Sequence, residues 1–302
     1  MVRKNRRYLL CLMAAALSAL SLSGCAQEGK APGGKPQEEK PQEAAQEEAG
    51  TGQAGTLDFV DVYGETYRMD INPSVPKKEY RDDGFSRTDG RAAYEDETYL
   101  SRPGVDVSQY QGQIDWEKVK ADGFEFAMIR IGYRGYGEEG TLNPDPCFQD
   151  NMKNARNAGL DVGVYFFSQA VDREEALEEA DFVLELLQGN ELQMPVVYDP
   201  EHILHDEART DHVSGEQFTE NTKVFCERIR EAGYEPMIYS NMLWEAFELD
   251  LEELEGYPVW YADYEPLPQT PYHFAMWQYT NEGTVDGIEG PVDLNIEMSK
   301  RK

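Results

Sequence analysis

A chain of 302 residues with 40% hydrophobic content can bury a substantial core, and one barrel-sized domain with tails is the organisation it favours. Its net charge of -30 excludes nucleic acid as a partner, because a polyphosphate would be repelled. The charge speaks for solubility and for repulsion from anionic surfaces, and it names no substrate.

The chain opens with "MVRKNRRYLLCLMAAALSALSLSGC", in which Arg3, Lys4, Arg6 and Arg7 precede an apolar stretch and small residues lead up to Cys25. That order reads as a secretory signal over residues 1–24. Its ending "LSGC" resembles a bacterial lipoprotein cleavage box. The resemblance implies cleavage after Gly24, a lipid on Cys25 and an extracytoplasmic protein anchored to the bacterial cell membrane. An ordinary signal with an incidental cysteine is the alternative. The rest of residues 25–56 is built from Glu, Gln, Gly, Pro, Lys and Ala, a composition that cannot offset its own ordering entropy. About thirty such residues make a tether with a mean reach of roughly 30 Å.

Residues 57–99 differ from both neighbours. "LDFVDVYGETYRMDI" alternates around a Gly-Glu turn and predicts a hairpin, which packs on the main domain because an isolated hairpin is marginal in water. No chemistry is assigned to this extension. From residue 100 to 302 short apolar runs alternate with amphipathic stretches. "GVDVSQY", "EFAMIRIGY", "DVGVYFFSQA", "MPVVYD" and "EPMIYSN" read as strands. Residues 115–123, 146–159, 172–189 and 214–233 read as helices, the third capped by Asp172 and the fourth by Ser214 with Gln217 completing a capping box.

Strands apolar on both faces and joined by helices predict a parallel sheet covered on both sides. Past residue 242 come three more strand candidates, "YPVWYADY", "HFAMWQYT" and "GPVDLNIE". The predicted fold is α/β: an irregular TIM-like barrel of five βα units followed by three strands, with the small N-terminal hairpin beside it. An open doubly wound sheet is the rival.

In such a barrel the C-terminal strand ends build the active site. "MPVVYDPEHI" places Asp199 and Glu201 at such an end, two residues and roughly 6.6 Å apart on one face of an extended chain. Pro200 has no N-H for the ladder and stops the strand there. Asp106, Asp263 and Asp293 end or adjoin other strands, Asp293 being the weakest member and assigned by default to a structural tie. Converging carboxyls would raise at least one pKa and provide a proton donor near neutral pH, as acid-catalysed glycoside cleavage requires. Tyr165, Phe167, Trp277 and Tyr279 supply flat faces for sugar rings, and Tyr165 and Trp277 are placed at the mouth.

"GVDVSQYQGQIDW", "GVYFFSQA", "PVVYDPE", "AGYEPMIYSN", "VWYADY" and "MWQYTNEGTVDGIEGPVDLN", in this order, resemble the glycoside hydrolase family 25 muramidases over residues 103 to 297. The resemblance implies a peptidoglycan hydrolase cutting the β-1,4 bond between N-acetylmuramic acid and N-acetylglucosamine. It makes Glu201 the general acid, with Asp199 assisting at the anomeric side or orienting the substrate's acetamido group. Asp106 and Asp263 are the remaining matching aspartates. The chain departs from the family pattern at Pro200, where a bulky apolar residue is expected, and the loop that follows is left open.

His202, His205 and His212 lie just past the acid pair, but no distant ligand pair accompanies them, so neither a metal nor a cofactor is expected. Cys147 and Cys226 fall on helices that are not neighbours around the barrel, which predicts unpaired thiols. Peptidoglycan, and the membrane through Cys25, are the expected partners of a monomer. A catalytically weak glycan-binding module tethered to the membrane is the alternative function.

Overall fold

A computed structural model describes residues 55–62 and 64–301. The expected signal segment, the expected lipid site at Cys25 and the expected tether up to residue 54 lie outside the described residues. Two antiparallel hairpins come first, β1 (Thr56–Val60) with β2 (Thr66–Asp70) and β3 (Phe85–Thr88) with β4 (Arg91–Tyr94). Then follow β5 (Tyr99–Val107), α1 (Trp116–Ala121), β6 (Phe126–Arg134), the short β7 (Leu142–Pro144), α2 (Phe148–Asn157), β8 (Asp161–Ser168), α3 (Arg173–Leu187), β9 (Val196–Pro200) and α4 (Gly215–Glu231). The chain finishes with β10 (Pro236–Asn241), α5 (Met242–Phe247), β11 (Val259–Ala262), β12 (Met276–Gly283) and β13 (Val292–Lys300).

The strands are hydrogen-bonded in the order β5, β13, β12, β11, β10, β9, β8, β6, and β6 returns to β5, so the sheet closes on itself. β5 through β12 run parallel around the barrel, whereas β13 is antiparallel to both β12 and β5; β7 hangs antiparallel on the far end of β6. The five helices that follow β5, β6, β8, β9 and β10 make the five βα units, and β11, β12 and β13 complete the wall. The sequence reading named no segment for the fifth helix. α5 has only 6 residues, and Asn241 caps it by accepting from the Leu243 and Trp244 N-H groups at 3.0 and 3.3 Å.

Strand alternation sorts the side chains. Phe126, Met128, Met194, Val197, Met237, Trp260 and Met276 fill the barrel interior, while Val105, Ile129, Val164, Tyr198, Ile238 and Tyr261 face outward into the layer beneath the helices. Gly104 belongs to the interior set: a Cβ there would stand 2.2 Å from the Phe126 ring, so the aromatic floor requires glycine. The helices start where their caps predict. Asp172 accepts from Glu175 N-H at 3.0 Å and Ser214 from Gln217 N-H at 3.2 Å. The Gln217 side chain does not return to the cap and donates to Asn221 at 2.8 Å, so that capping box is half formed.

The extension is stitched to the barrel's outer wall. Phe59, Met69, Tyr80, Ala92 and Tyr94 bury in the same apolar cluster as the barrel strands. Gln269 bonds both the N-H and the carbonyl of Val60, at 2.8 and 2.7 Å, and the Tyr80 hydroxyl donates to the Phe274 carbonyl at 2.6 Å. The β3–β4 hairpin lays Phe85 edge-on to Trp277, with ring centroids 5.4 Å apart, and Arg87 over both Trp277 and Tyr279.

Candidate active site

β9 is the strand that matters most. Val197 and Asp199 point inward, Tyr198 points out onto Phe225 of α4, and the strand ends at Pro200 alongside Ser168 of β8. The same alternation returns the Glu201 side chain to the barrel mouth, where a cavity of about 880 Å³ opens. Asp106, Asp199, Glu201 and Asp293 all line it, so β5, β9 and β13 bring their carboxyls together. Tyr165 and Phe167 from β8 share the cavity, as does Trp260 from β11.

Asp263, Trp277 and Tyr279 are not in that lining, and strand parity gives the reason. On β11 Trp260 and Ala262 face in, so Tyr261 faces out and Asp263 follows it. The Asp263 carboxylate accepts from the Tyr261 hydroxyl at 2.7 Å and from the Glu265 and Gln269 N-H groups at 3.0 and 2.8 Å. It ties down the turn after β11. On β12 Met276 and Gln278 face in, which turns Trp277 and Tyr279 out beneath the β3–β4 hairpin; the Trp277 indole donates to the Asp263 carbonyl at 2.8 Å. These aromatics are packing, and their expected contact with substrate is corrected to the barrel's outer face.

Polar interior positions that the sequence reading passed over hold the acids in place. Asp106 accepts from Gln278 Nε2 at 3.0 Å and from Asn295 Nδ2 at 2.7 Å. The other ends of these amides are also occupied: Gln278 Oε1 accepts from the Tyr239 and Tyr264 hydroxyls at 2.9 and 3.0 Å, and Asn295 Oδ1 from the Trp260 indole at 2.8 Å. Arg130, inward on β6, is the cation facing this cluster. It is held by Asp145 at 2.8 Å and flanked by the Tyr110 and Tyr133 rings at 5.1 and 5.2 Å. A lone polar residue inside an apolar run, such as Gln278 between Trp277 and Tyr279, was the signal that could have found them.

Burial raises every one of these four carboxyls, and repulsion from neighbouring acids adds to it at Asp199, Glu201 and Asp293. Burial pushes Asp106 up to about 6 against the pull of its two amide donors. For Glu201 burial and then the charge of Asp106 bring it to about 7, with Tyr239 and His202 opposing. Asp293 is raised to about 8 by burial and by Asp106. Asp199 lies well above the usual carboxylate range, through burial first and then Glu201 and Asp106, with Arg130 opposing. Its Oδ1 is buried and has no hydrogen-bond partner among the described residues. Near neutral pH the cluster therefore retains protons; Asp106 and Asp199 are buried, whereas Glu201 and Asp293 are half-buried.

His202 turns away from the cavity. Its ring stacks on Trp244 with centroids 4.8 Å apart, and Nε2 lies 3.3 Å from Glu248. His205 and His212 are exposed, and among the described residues no group of three or more His, Cys, Asp or Glu is gathered to hold a metal ion. Cys147 at the start of α2 and Cys226 within α4 are both free thiols.

The sequence pattern of the glycosyl hydrolases family 25 matches residues 105–288, more than half of the chain. The chain belongs to that family. Within family 25 the match spans β5 to the approach of β13 and so contains Asp106, Asp199 and Glu201. The autolytic lysozyme of Clostridium acetobutylicum is 26% identical over 193 residues, covering 64% of this chain and 54% of that protein. Lysozyme M1 of Streptomyces globisporus is 30% identical over 204 residues, covering 64% of this chain and 66% of that one. This chain thus matches about half the length of the first relative and about two thirds of the second. A family 25 glycosyl hydrolase from Bacillus anthracis superposes with a TM-score of 0.54 at 23% identity, over 72% of this chain and 94% of the other, which supports the fold.

Proposed function

We propose that this family 25 barrel is a muramidase that hydrolyses the β-1,4 bond between N-acetylmuramic acid and N-acetylglucosamine in peptidoglycan. What supports the reading most is β9, which ends by presenting Asp199 and Glu201 to one cavity, Glu201 with a pKa raised to about 7. Glu201 enters the reaction protonated and gives its proton to the glycosidic oxygen as the bond to the anomeric carbon breaks. The positive charge that develops on the ring is met by the ionised fraction of the cluster, and water then adds at the anomeric carbon and passes its proton to the Glu201 carboxylate. The partnerless Oδ1 of Asp199 is placed to accept an N-H from the substrate's acetamido group. Tyr165, Phe167 and Trp260 offer ring faces to the sugars. That two of its relatives are lysozymes supports peptidoglycan as the substrate.

The test is a digest of purified peptidoglycan by residues 57–302 beside Glu201→Gln, followed by reduction and mass analysis of the fragments. Release of reducing muramic acid ends, with the variant at least about a hundredfold slower, is expected. Glycan binding by both proteins with cleavage by neither would make this a wall-binding module instead. Because the donor must be protonated, kcat should fall as pH rises past about 7. We further propose that a lipid on Cys25 holds the domain at the outer face of the cell membrane. Cys25→Ser should then move the protein from the membrane fraction to the soluble fraction, and retention in the membrane would reject the anchor.

A further inference from the structure

Pro200 poses a mechanical problem at the proton donor. The β8–β9 ladder runs in register to Ser168 beside Pro200, and Pro200 brings no N-H to continue it. The next residue, Glu201, would therefore leave the strand on unsupported backbone just where its side chain must be held. One position past Ser168, however, stands Gln169, a residue only 1% exposed. Its Nε2 donates to the Glu201 carbonyl at 2.7 Å, and its Oε1 accepts from the Thr210 hydroxyl at 2.9 Å. Both ends of the amide are thus used, and they join the two ends of the segment 201–210. We propose that Gln169 is the positioning residue of the proton donor, a side chain that replaces the missing ladder bonds and fixes the Glu201 backbone against β8.

The clamp is itself anchored. Gln169 N-H donates to Glu179 Oε1 at 3.3 Å, and its carbonyl accepts from Arg209 at 3.3 Å. Arg209 in turn grips Glu175 of α3 at 2.6 and 2.8 Å. These bonds use the Gln169 backbone, so shortening or changing its side chain leaves the anchor in place and frees only Glu201 and Thr210. Misplacing a catalytic group by about 1 Å can cost about a hundredfold in rate, so the effect should be large for a residue that touches no substrate.

The inference rests on Glu201 being the proton donor, and the experiment separates the two. Initial rates and pH profiles of peptidoglycan hydrolysis are measured for the full chain, Gln169→Leu, Gln169→Glu, Thr210→Val, Glu201→Gln and the double variant Gln169→Leu/Glu201→Gln. Gln169→Glu keeps the size and the acceptor for Thr210 and removes the donor to the Glu201 carbonyl, so it serves if Gln169→Leu fails to fold. Expected for either Gln169 variant is a kcat lower by about ten- to a hundredfold with KM within about twofold, and a displaced alkaline limb of the profile. Thr210→Val should show a smaller loss of the same kind. In the double variant the Gln169 change should add nothing to the loss from Glu201→Gln, since the two act as one unit. A folded Gln169 variant with wild-type kcat and profile, beside an inactive Glu201→Gln, overturns the clamp alone. So does a Gln169 effect that multiplies with Glu201→Gln. A Glu201→Gln protein with wild-type activity overturns the proposed donor and the clamp together.

Discussion

β9 and β11 are neighbours but one in the barrel wall, both start as apolar runs, and each has a buried aspartate at its C-terminal end: Asp199 within β9 at 6% exposure and Asp263 just past β11 at 3%. What separates them is how their carboxylates are answered. Asp263 is surrounded by donors from Tyr261, Glu265 and Gln269, each within the range of a normal hydrogen bond. Asp199 keeps a buried oxygen without a partner among the described residues and faces other acids across a cavity. A saturated carboxylate builds structure, whereas one held in a half-satisfied state stores free energy that substrate can release. Burial alone does not distinguish the two, and strand parity does.

Substitution at the two positions should therefore divide cleanly. Asp199→Asn is expected to lower peptidoglycan turnover by about a hundredfold while leaving the melting temperature at neutral pH unchanged or higher, because a buried acid that is repelled by its neighbours whenever it ionises is replaced by a neutral amide. Asp263→Asn should do the reverse, lowering stability by about 2–4 kcal/mol through lost charge-assisted bonds while the folded fraction keeps its turnover. If both variants lose activity in proportion to stability, the distinction collapses.

Trp277 extends the contrast to the aromatics. Trp277→Ala is expected to destabilise the domain by about 3–5 kcal/mol in denaturant titrations, with KM for glycan unchanged, since the ring is packed between β12 and the β3–β4 hairpin. A raised KM with intact stability would return Trp277 to the substrate.

The smaller test concerns Asp293. Its folded pKa, about 8, lies above the ordinary 3.8, so the native state binds the proton that the unfolded chain releases. Stability contributed by this group is present at low pH and is lost as pH rises between these values. Asp293→Asn should thus gain stability relative to the unsubstituted protein on going from pH 5 to pH 9. A pH-independent difference would mean that Asp293 is already satisfied in the ionised form.

Much of the barrel was legible because its signals are local. Alternating apolar runs, the caps at Asp172 and Ser214, and Pro200 as a strand stop mark the helices and β9 without knowledge of neighbours. Asp263, Trp277 and Tyr279 were misplaced because their strands are apolar on both faces, and a fully buried strand gives no clue to which residues look inward. The clue lay in polar singletons such as Gln278 and Asn295, which are costly in a barrel interior unless they bond something there. Arg130 was invisible for a different reason: its partners, Asp145, Tyr110 and Tyr133, come from separate segments and meet only in the fold. The β3–β4 hairpin also escaped, since "FSRT" and "RAAY" are too short and too polar to announce strands.

The antiparallel β13 sets the order in which this molecule can be made. It pairs with β5 from Asp293 opposite Asp106 down to Lys300 opposite Tyr99, joining the first and last strands of the barrel. Until it arrives, β5 and β12 each keep a row of unpaired backbone groups, and the folding chain carries those sticky edges until its last strand docks. Closure is thus the slow event, governed by the contacts most distant in sequence. Truncation before Val292 would leave an open sheet prone to association with its own copies, and would also strip Asn295 from Asp106.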